Sequence, residues 1–119
     1  MKPFRKTVSK EQRIQEYLKI REKFPDRVPV VIDPQGDLFL RKRKFLVEYD
    51  MLFSNLIYVI RQRLNVKPNE SLFFFYENTI PCPTHTIGQI FNERVTSDGF
   101  LVLAVAKENT FGASHSPCV

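Results

Sequence analysis

The apolar residues of this chain come in strand-length blocks, set apart by turn formers and by two amphipathic stretches, and that arrangement restricts it to small α+β folds. Val28–Ile32 is β-branched and interrupted only by Pro29, while Leu72–Tyr76 and Phe100–Ala106 are apolar throughout. Short apolar runs bounded by turn signals read as buried strands. None approaches the ~20 residues needed to cross a bilayer.

The stretches between the blocks have a different period. Ile14, Tyr17, Leu18, Ile20 and Phe24 recur three and four residues apart on charged ground. With Ser9 as cap, Gln12 completing a capping box and Pro25 as terminator, they predict a helix over about 9–24. Pro34-Gln35-Gly36-Asp37 is a turn signal, so residues 28–47 read as a β-hairpin whose second strand runs over about 38–47. Asp50 can cap a second helix over about 51–64, with Leu52, Leu56, Val59, Ile60 and Leu64 turned inward. Pro68-Asn69 breaks the chain before Leu72–Tyr76, an all-apolar strand expected at a sheet centre. Thr86–Asn92 predicts a short helix, Ser97-Asp98-Gly99 a turn and Phe100–Ala106 the last strand. A hairpin, a crossover helix into a central strand and a closing strand make the ubiquitin-like β-grasp, here with additional N-terminal helices. The expected division is an N-terminal helical segment over 1–26, a ubiquitin-like core over 27–107 and a flexible tail over 108–119.

Composition excludes several functions. The 119 residues are 43% hydrophobic and 26% charged, the balance of one soluble globular domain. Met1–Lys6 lacks the apolar segment of a secretory signal. Cys82 and Cys118 are too few for a disulfide framework, so a reducing cytoplasm is the expected compartment. With His85 and His115, they are also a thin supply of ligands, and no CxxC, HExxH or Gly-rich phosphate loop is present. We therefore expect no metal site, no cofactor and no enzymatic activity. Cys82 and His85 are close in sequence, but Cys82 lies between two prolines and no orienting Asn or Asp is evident.

The net charge of +5 is uneven. Residues 1–27 carry nine basic and four acidic residues, and residues 28–119 carry nine of each. Four of the latter basic residues are consecutive, Arg41-Lys42-Arg43-Lys44. Such a run is either a solvated face or a docking surface for an acidic partner. A nucleic-acid-binding module is the alternative from another class, favoured by this run and by Phe39 and Phe45 beside it. Neutrality beyond residue 27 and the lack of a known nucleic-acid motif weigh against it.

Five segments together carry a more specific signal. They are Phe24–Val30, Lys42–Val47, Tyr58–Arg63, Asp98–Leu101 and Glu108–Gly112. Their order and spacing over about residues 4–112 resemble the autophagy-related ubiquitin-like modifiers, the GABARAP-like proteins conjugated to phosphatidylethanolamine. The resemblance implies that Gly112 is the cleavage and lipidation site, exposed when a cysteine protease removes Ala113–Val119. Activating and conjugating enzymes would then pass its carboxylate to the lipid amine, the monomeric chain being substrate and adaptor. A terminal glycine suits narrow enzyme channels because it has no Cβ.

The resemblance also implies binding of aromatic-x-x-aliphatic motifs in cargo receptors and adaptors, by strand addition along the second strand. The implied aromatic pocket is Glu16, Ile20, Pro29, Lys44, Leu46 and Phe100. The implied aliphatic pocket is Phe45, Val47, Met51, Leu56, Val59 and Arg63, and Arg27 is a further partner contact. The implied location is the cytoplasm and, after lipidation, the membrane of autophagosomes or related vesicles. The chain departs from the family pattern in a short stretch before Arg41, in the basic Arg41 itself, in Glu48 and in Lys107.

Overall fold

The computed structural model describes residues 8–76, 79–93 and 99–107. Helix α1 spans Lys10–Lys23, and its start is the one predicted from Ser9 and Gln12. The Ser9 hydroxyl accepts from the Gln12 amide at 3.2 Å, and Gln12 Oε1 accepts from the Ser9 amide at 3.3 Å. Strands β1 (Arg27–Pro34) and β2 (Lys44–Glu48) follow, then α2 (Phe53–Arg63), β3 (Leu72–Phe75), α3 (Ile87–Glu93) and β4 (Leu101–Lys107).

The four strands form one mixed sheet in the order β2-β1-β4-β3. β1 pairs antiparallel with β2 and parallel with β4, and β3 pairs antiparallel with β4. The apolar β3 is therefore an outer strand, not the central one its composition suggested. Phe100–Ala106 supplies the centre instead, because a parallel crossover places the last strand beside the first.

Residues on β1 are buried from Val28 through Pro34 because the strand is covered on both faces. Val28, Val30 and Ile32 join Leu101, Leu103 and Val105 in the main core with Phe53, Leu56 and Ile60 of α2 and Ile87, Ile90 and Phe91 of α3. Val31 faces the other way, against Phe100, Val102, Tyr17 and Ile20 beneath α1. Pro29 sits in this central strand without loss. Ile32 donates its amide to Arg43 at 2.9 Å. By strict alternation the Pro29 nitrogen then faces away from β2, and pairing with β4 begins only at Val30 and Leu101.

Four local expectations need correction. The second strand starts at Lys44 rather than 38, because Leu38 and Leu40 leave the ladder to enter the core. Asp50 does not cap α2. The N-cap is Leu52, with no side-chain bond; instead the Phe53 and Ser54 amides donate to the carbonyls of His85 and Pro83 at 2.9 and 3.0 Å. In return, the Ile87 amide at the start of α3 donates to the Met51 carbonyl at 2.8 Å. The two loops thus satisfy each other's orphan helix amides. Finally, Leu18 and Leu52 are exposed; on α1 it is Tyr17 and Ile20 that pack against the sheet.

Candidate peptide-binding groove

β2 lies at the side of the sheet, with β1 as its one neighbouring strand among the described residues. The bonds Ile32–Arg43 and Tyr49–Asp26 fix the alternation. The backbone groups of Lys44, Leu46 and Glu48 therefore face away from β1, the direction from which an added strand would pair.

Next to this edge is a hollow of about 300 Å³. It is lined by Phe45, Val47, Met51, Leu56 and Val59, five of the six residues expected for an aliphatic pocket, and also by Arg27, Leu46 and Glu48. The sixth expected residue, Arg63, borders it through Phe45. The Arg63 guanidinium lies 5.8 Å from the Phe45 ring centre, and the Lys42 ammonium 5.3 Å from it. Each wall has a structural origin. Val47 and Leu56 are buried, anchored in the main core, whereas Val59 on α2 is 36% exposed. Met51 is held in place by the exchange of amides between the α2 and α3 loops.

The residues expected for an aromatic pocket are distributed differently. Glu16 and Ile20 line a second hollow of about 600 Å³ along α1, together with Lys19, Glu22, Lys23 and Phe24. Lys44 reaches Glu16 across the gap between β2 and α1, with Nζ 3.0 and 3.1 Å from the carboxylate oxygens. Pro29 is buried in β1, and Phe100 is 1% exposed, packed edge-on to Tyr17 at 6.4 Å. Both lie beneath the surface rather than on the walls of that hollow. Sequence reasoning missed Lys19, Glu22 and Lys23. The available signal was the three-residue spacing of Lys19 from Glu16 and of Lys23 from Ile20; Glu22 carried none.

Arg27 lies at the rim of the aliphatic hollow and over the Phe24 ring at 5.9 Å. The basic run is largely engaged within the chain. Arg43 donates to the Ile32 carbonyl at 3.1 Å and pairs with Asp33, while Lys42 and Lys44 make the contacts given above. Arg41, Lys42 and Lys44 nonetheless stay exposed, and only Arg43 is drawn into the body. Among the described residues no group of three or more His, Cys, Asp or Glu could hold a metal ion. No helix among them is long and apolar enough to cross a membrane. Gly112 lies outside the described residues.

Residues 12–112 match the family described as "Autophagy protein Atg8 ubiquitin like". The chain belongs to the Atg8 family. It is 36% identical over 106 residues to autophagy-related protein 8a of Arabidopsis thaliana, covering 87% of each chain. Its fold is similar to the crystal structure of Trypanosoma brucei ATG8, with TM-score 0.83, 27% identity, and 94% and 99% of the two chains covered. It is also similar to Plasmodium falciparum Atg8 solved in complex with a P. falciparum Atg3 peptide, with TM-score 0.79, 25% identity, and 91% and 100% covered. The ubiquitin-like α+β fold is thus that of an Atg8 protein, and members of the family are modifiers rather than enzymes.

Proposed function

We propose that this chain is cleaved after Gly112 by a cysteine protease, conjugated to phosphatidylethanolamine, and used on autophagic membranes to recruit cargo receptors through aromatic-x-x-aliphatic motifs. The observation that carries the reading is the hollow beside β2, where five residues expected for an aliphatic pocket line one cavity at the side of the sheet. An extended peptide would add its backbone to Lys44, Leu46 and Glu48, seat its aliphatic residue in that hollow, and place its aromatic residue between β2 and α1. That a Plasmodium relative was solved in complex with an Atg3 peptide supports peptide binding to the conjugation machinery. The family match extends through residue 112, which supports Gly112 as the end whose carboxyl is conjugated. The chain would be cytoplasmic before lipidation and bound to autophagosomes after it.

The test is mass spectrometry of the protein recovered from cells in which autophagy has been induced. A species ending at Gly112 and carrying a phospholipid is expected. Recovery of full-length chain through Val119 alone would overturn the reading.

A further inference from the structure

At the end of β4, the Lys107 ammonium lies 3.2 Å from Asp37 Oδ2 and 3.1 Å from Glu70 Oε2. Asp37 belongs to the β1–β2 turn and Glu70 to the α2–β3 loop. The Lys107 side chain is only 14% exposed, so this is not a lysine waving in solvent. Each partner is itself fixed. The turn is tied to β4 by the Gln35 amide, which donates to the Val105 carbonyl at 2.9 Å. It is tied to the end of α2 by Asn65, whose amide donates to the Asp37 carbonyl at 3.1 Å and whose oxygen accepts from the Phe39 amide at 2.6 Å. In the loop, Glu70 Oε1 accepts from the Lys67 amide at 2.9 Å, and the Arg61 guanidinium donates to the carbonyls of Lys67, Pro68 and Glu70. The electrostatics agree with the geometry. Bonds to Glu70 and Asp37 hold the Lys107 ammonium above the usual lysine range. The Lys67 amide, and then Lys107, hold the Glu70 carboxyl below the usual carboxylate range.

We propose that Lys107 is a positioning residue for the C-terminal tail: clasped by Asp37 and Glu70, it fixes the point and direction at which residues 108–112 leave the body. This rests on the reading that Gly112 is the cleavage and conjugation site. Five residues reach at most about 17 Å. An enzyme that grips both the body and Gly112 therefore finds the glycine within a small volume only if the exit is fixed. Fixing it before binding lowers the ordering cost of capture and leaves the chemical step untouched. The clasp lies at the opposite end of β1 from Arg27 and the aliphatic hollow, so its effect should be separable from peptide binding.

The full-length chain with a fluorescent protein fused after Val119 is the substrate, cleaved by the purified processing cysteine protease of the Atg8 pathway. Lys107→Met should raise KM about three- to tenfold with kcat unchanged, and Lys107→Arg should restore KM. Asp37→Asn together with Glu70→Gln should reproduce the Met variant with the lysine intact. Affinity for an aromatic-x-x-aliphatic peptide should not change. Amide ¹⁵N relaxation at residues 106–110 tests the clasp independently of cleavage: order parameters should fall in Lys107→Met and be kept in Lys107→Arg. Equal order parameters in all three proteins would overturn the clasp. Equal KM in wild type and Lys107→Met would overturn its role in capture. Wild type left uncleaved at Gly112 would instead overturn the cleavage reading, with the relaxation data still deciding the clasp.

Discussion

Lys44 on β2 is joined to Glu16 on α1 by two contacts, 3.0 and 3.1 Å long, that bridge the outer strand of the sheet to the helix packed over it. Both side chains are substantially exposed, so the pair contributes under about 1 kcal/mol to stability. Its position matters more than its strength. An acidic residue beside a motif's aromatic side chain would compete with Glu16 for the same ammonium. Lys44→Glu with Leu46→Ala should therefore weaken an acidic aromatic-x-x-aliphatic peptide by about tenfold or more, through charge reversal and loss of an apolar contact. Fluorescence titration at low and physiological salt checks this. Unchanged affinity would mean that the peptide binds elsewhere.

The walls of the aliphatic hollow differ in how deeply they are rooted, and substitution should separate the two kinds. Leu56 is 2% exposed and belongs to the main core, so Leu56→Ala should cost about 2–4 kcal/mol of stability as well as peptide affinity. Val59 faces solvent, so Val59→Glu should leave stability within about 0.5 kcal/mol. The same change should reduce peptide affinity about tenfold by placing a charge where an apolar anchor sits. Urea denaturation paired with peptide titration reads both quantities on each variant.

Most of the architecture was legible because local signals and burial agreed. The Ser9–Gln12 box and the turn at Gln35–Asp37 lie where the sequence puts them. Helix α2 buries Leu56 and Ile60 as its period requires, although Leu52 and Val59, expected on the same inner face, are exposed. The misplaced features share a cause, since each depends on a partner distant in sequence. Leu72–Tyr76 is as apolar as a central strand, yet only the parallel crossover decides that β4 takes the middle. Asp50 is an acceptable cap by type, but carbonyls some thirty residues away reach the helix amides first. The aliphatic hollow was legible through the family resemblance. The Lys107 clasp was not, since Asp37 and Glu70 carry no local mark that they converge on one ammonium.

The clasp predicts a pH dependence of stability whose sign follows from its two shifts. The folded-state pKa of Glu70 is lowered, chiefly by the Lys67 amide. Its contribution is thus present above the ordinary carboxylate range and disappears as pH falls through the lowered value. The folded-state pKa of Lys107 is raised, chiefly by Glu70. Its contribution is complete below the ordinary lysine range and disappears as pH rises through the raised value. The difference in melting temperature between wild type and Glu70→Gln should therefore plateau between about pH 5 and about pH 10 and shrink toward both extremes. Melting curves from pH 3 to 11 check this. A difference that does not vary with pH would show that the pair carries no linked proton.

Two glycines give a prediction whose sign is informative. Gly88 opens α3 against the face of the Tyr49 ring, whose hydroxyl accepts from Asn92, and a Cβ at this position would collide with the ring. Helix propensity alone would have Gly88→Ala stabilise the protein by up to about 1 kcal/mol. The collision predicts the opposite, a loss of about 1–3 kcal/mol. Gly99 combines φ of +84° with the Tyr17 ring against its α-carbon. Gly99→Ala should therefore destabilise through both backbone strain and overpacking. The two losses should differ in reach. Gly99 precedes Phe100, which packs with Tyr17 and Ile20 beneath α1, so its substitution should displace α1 and weaken peptide binding on the aromatic side. Gly88→Ala should disturb Tyr49 and the α3 end, leaving the α1 side intact. Denaturation gives the stability change, and titration with peptides lacking either the aromatic or the aliphatic anchor shows which pocket each substitution reaches. A stabilising Gly88→Ala would mean that the Tyr49 ring is free to move aside.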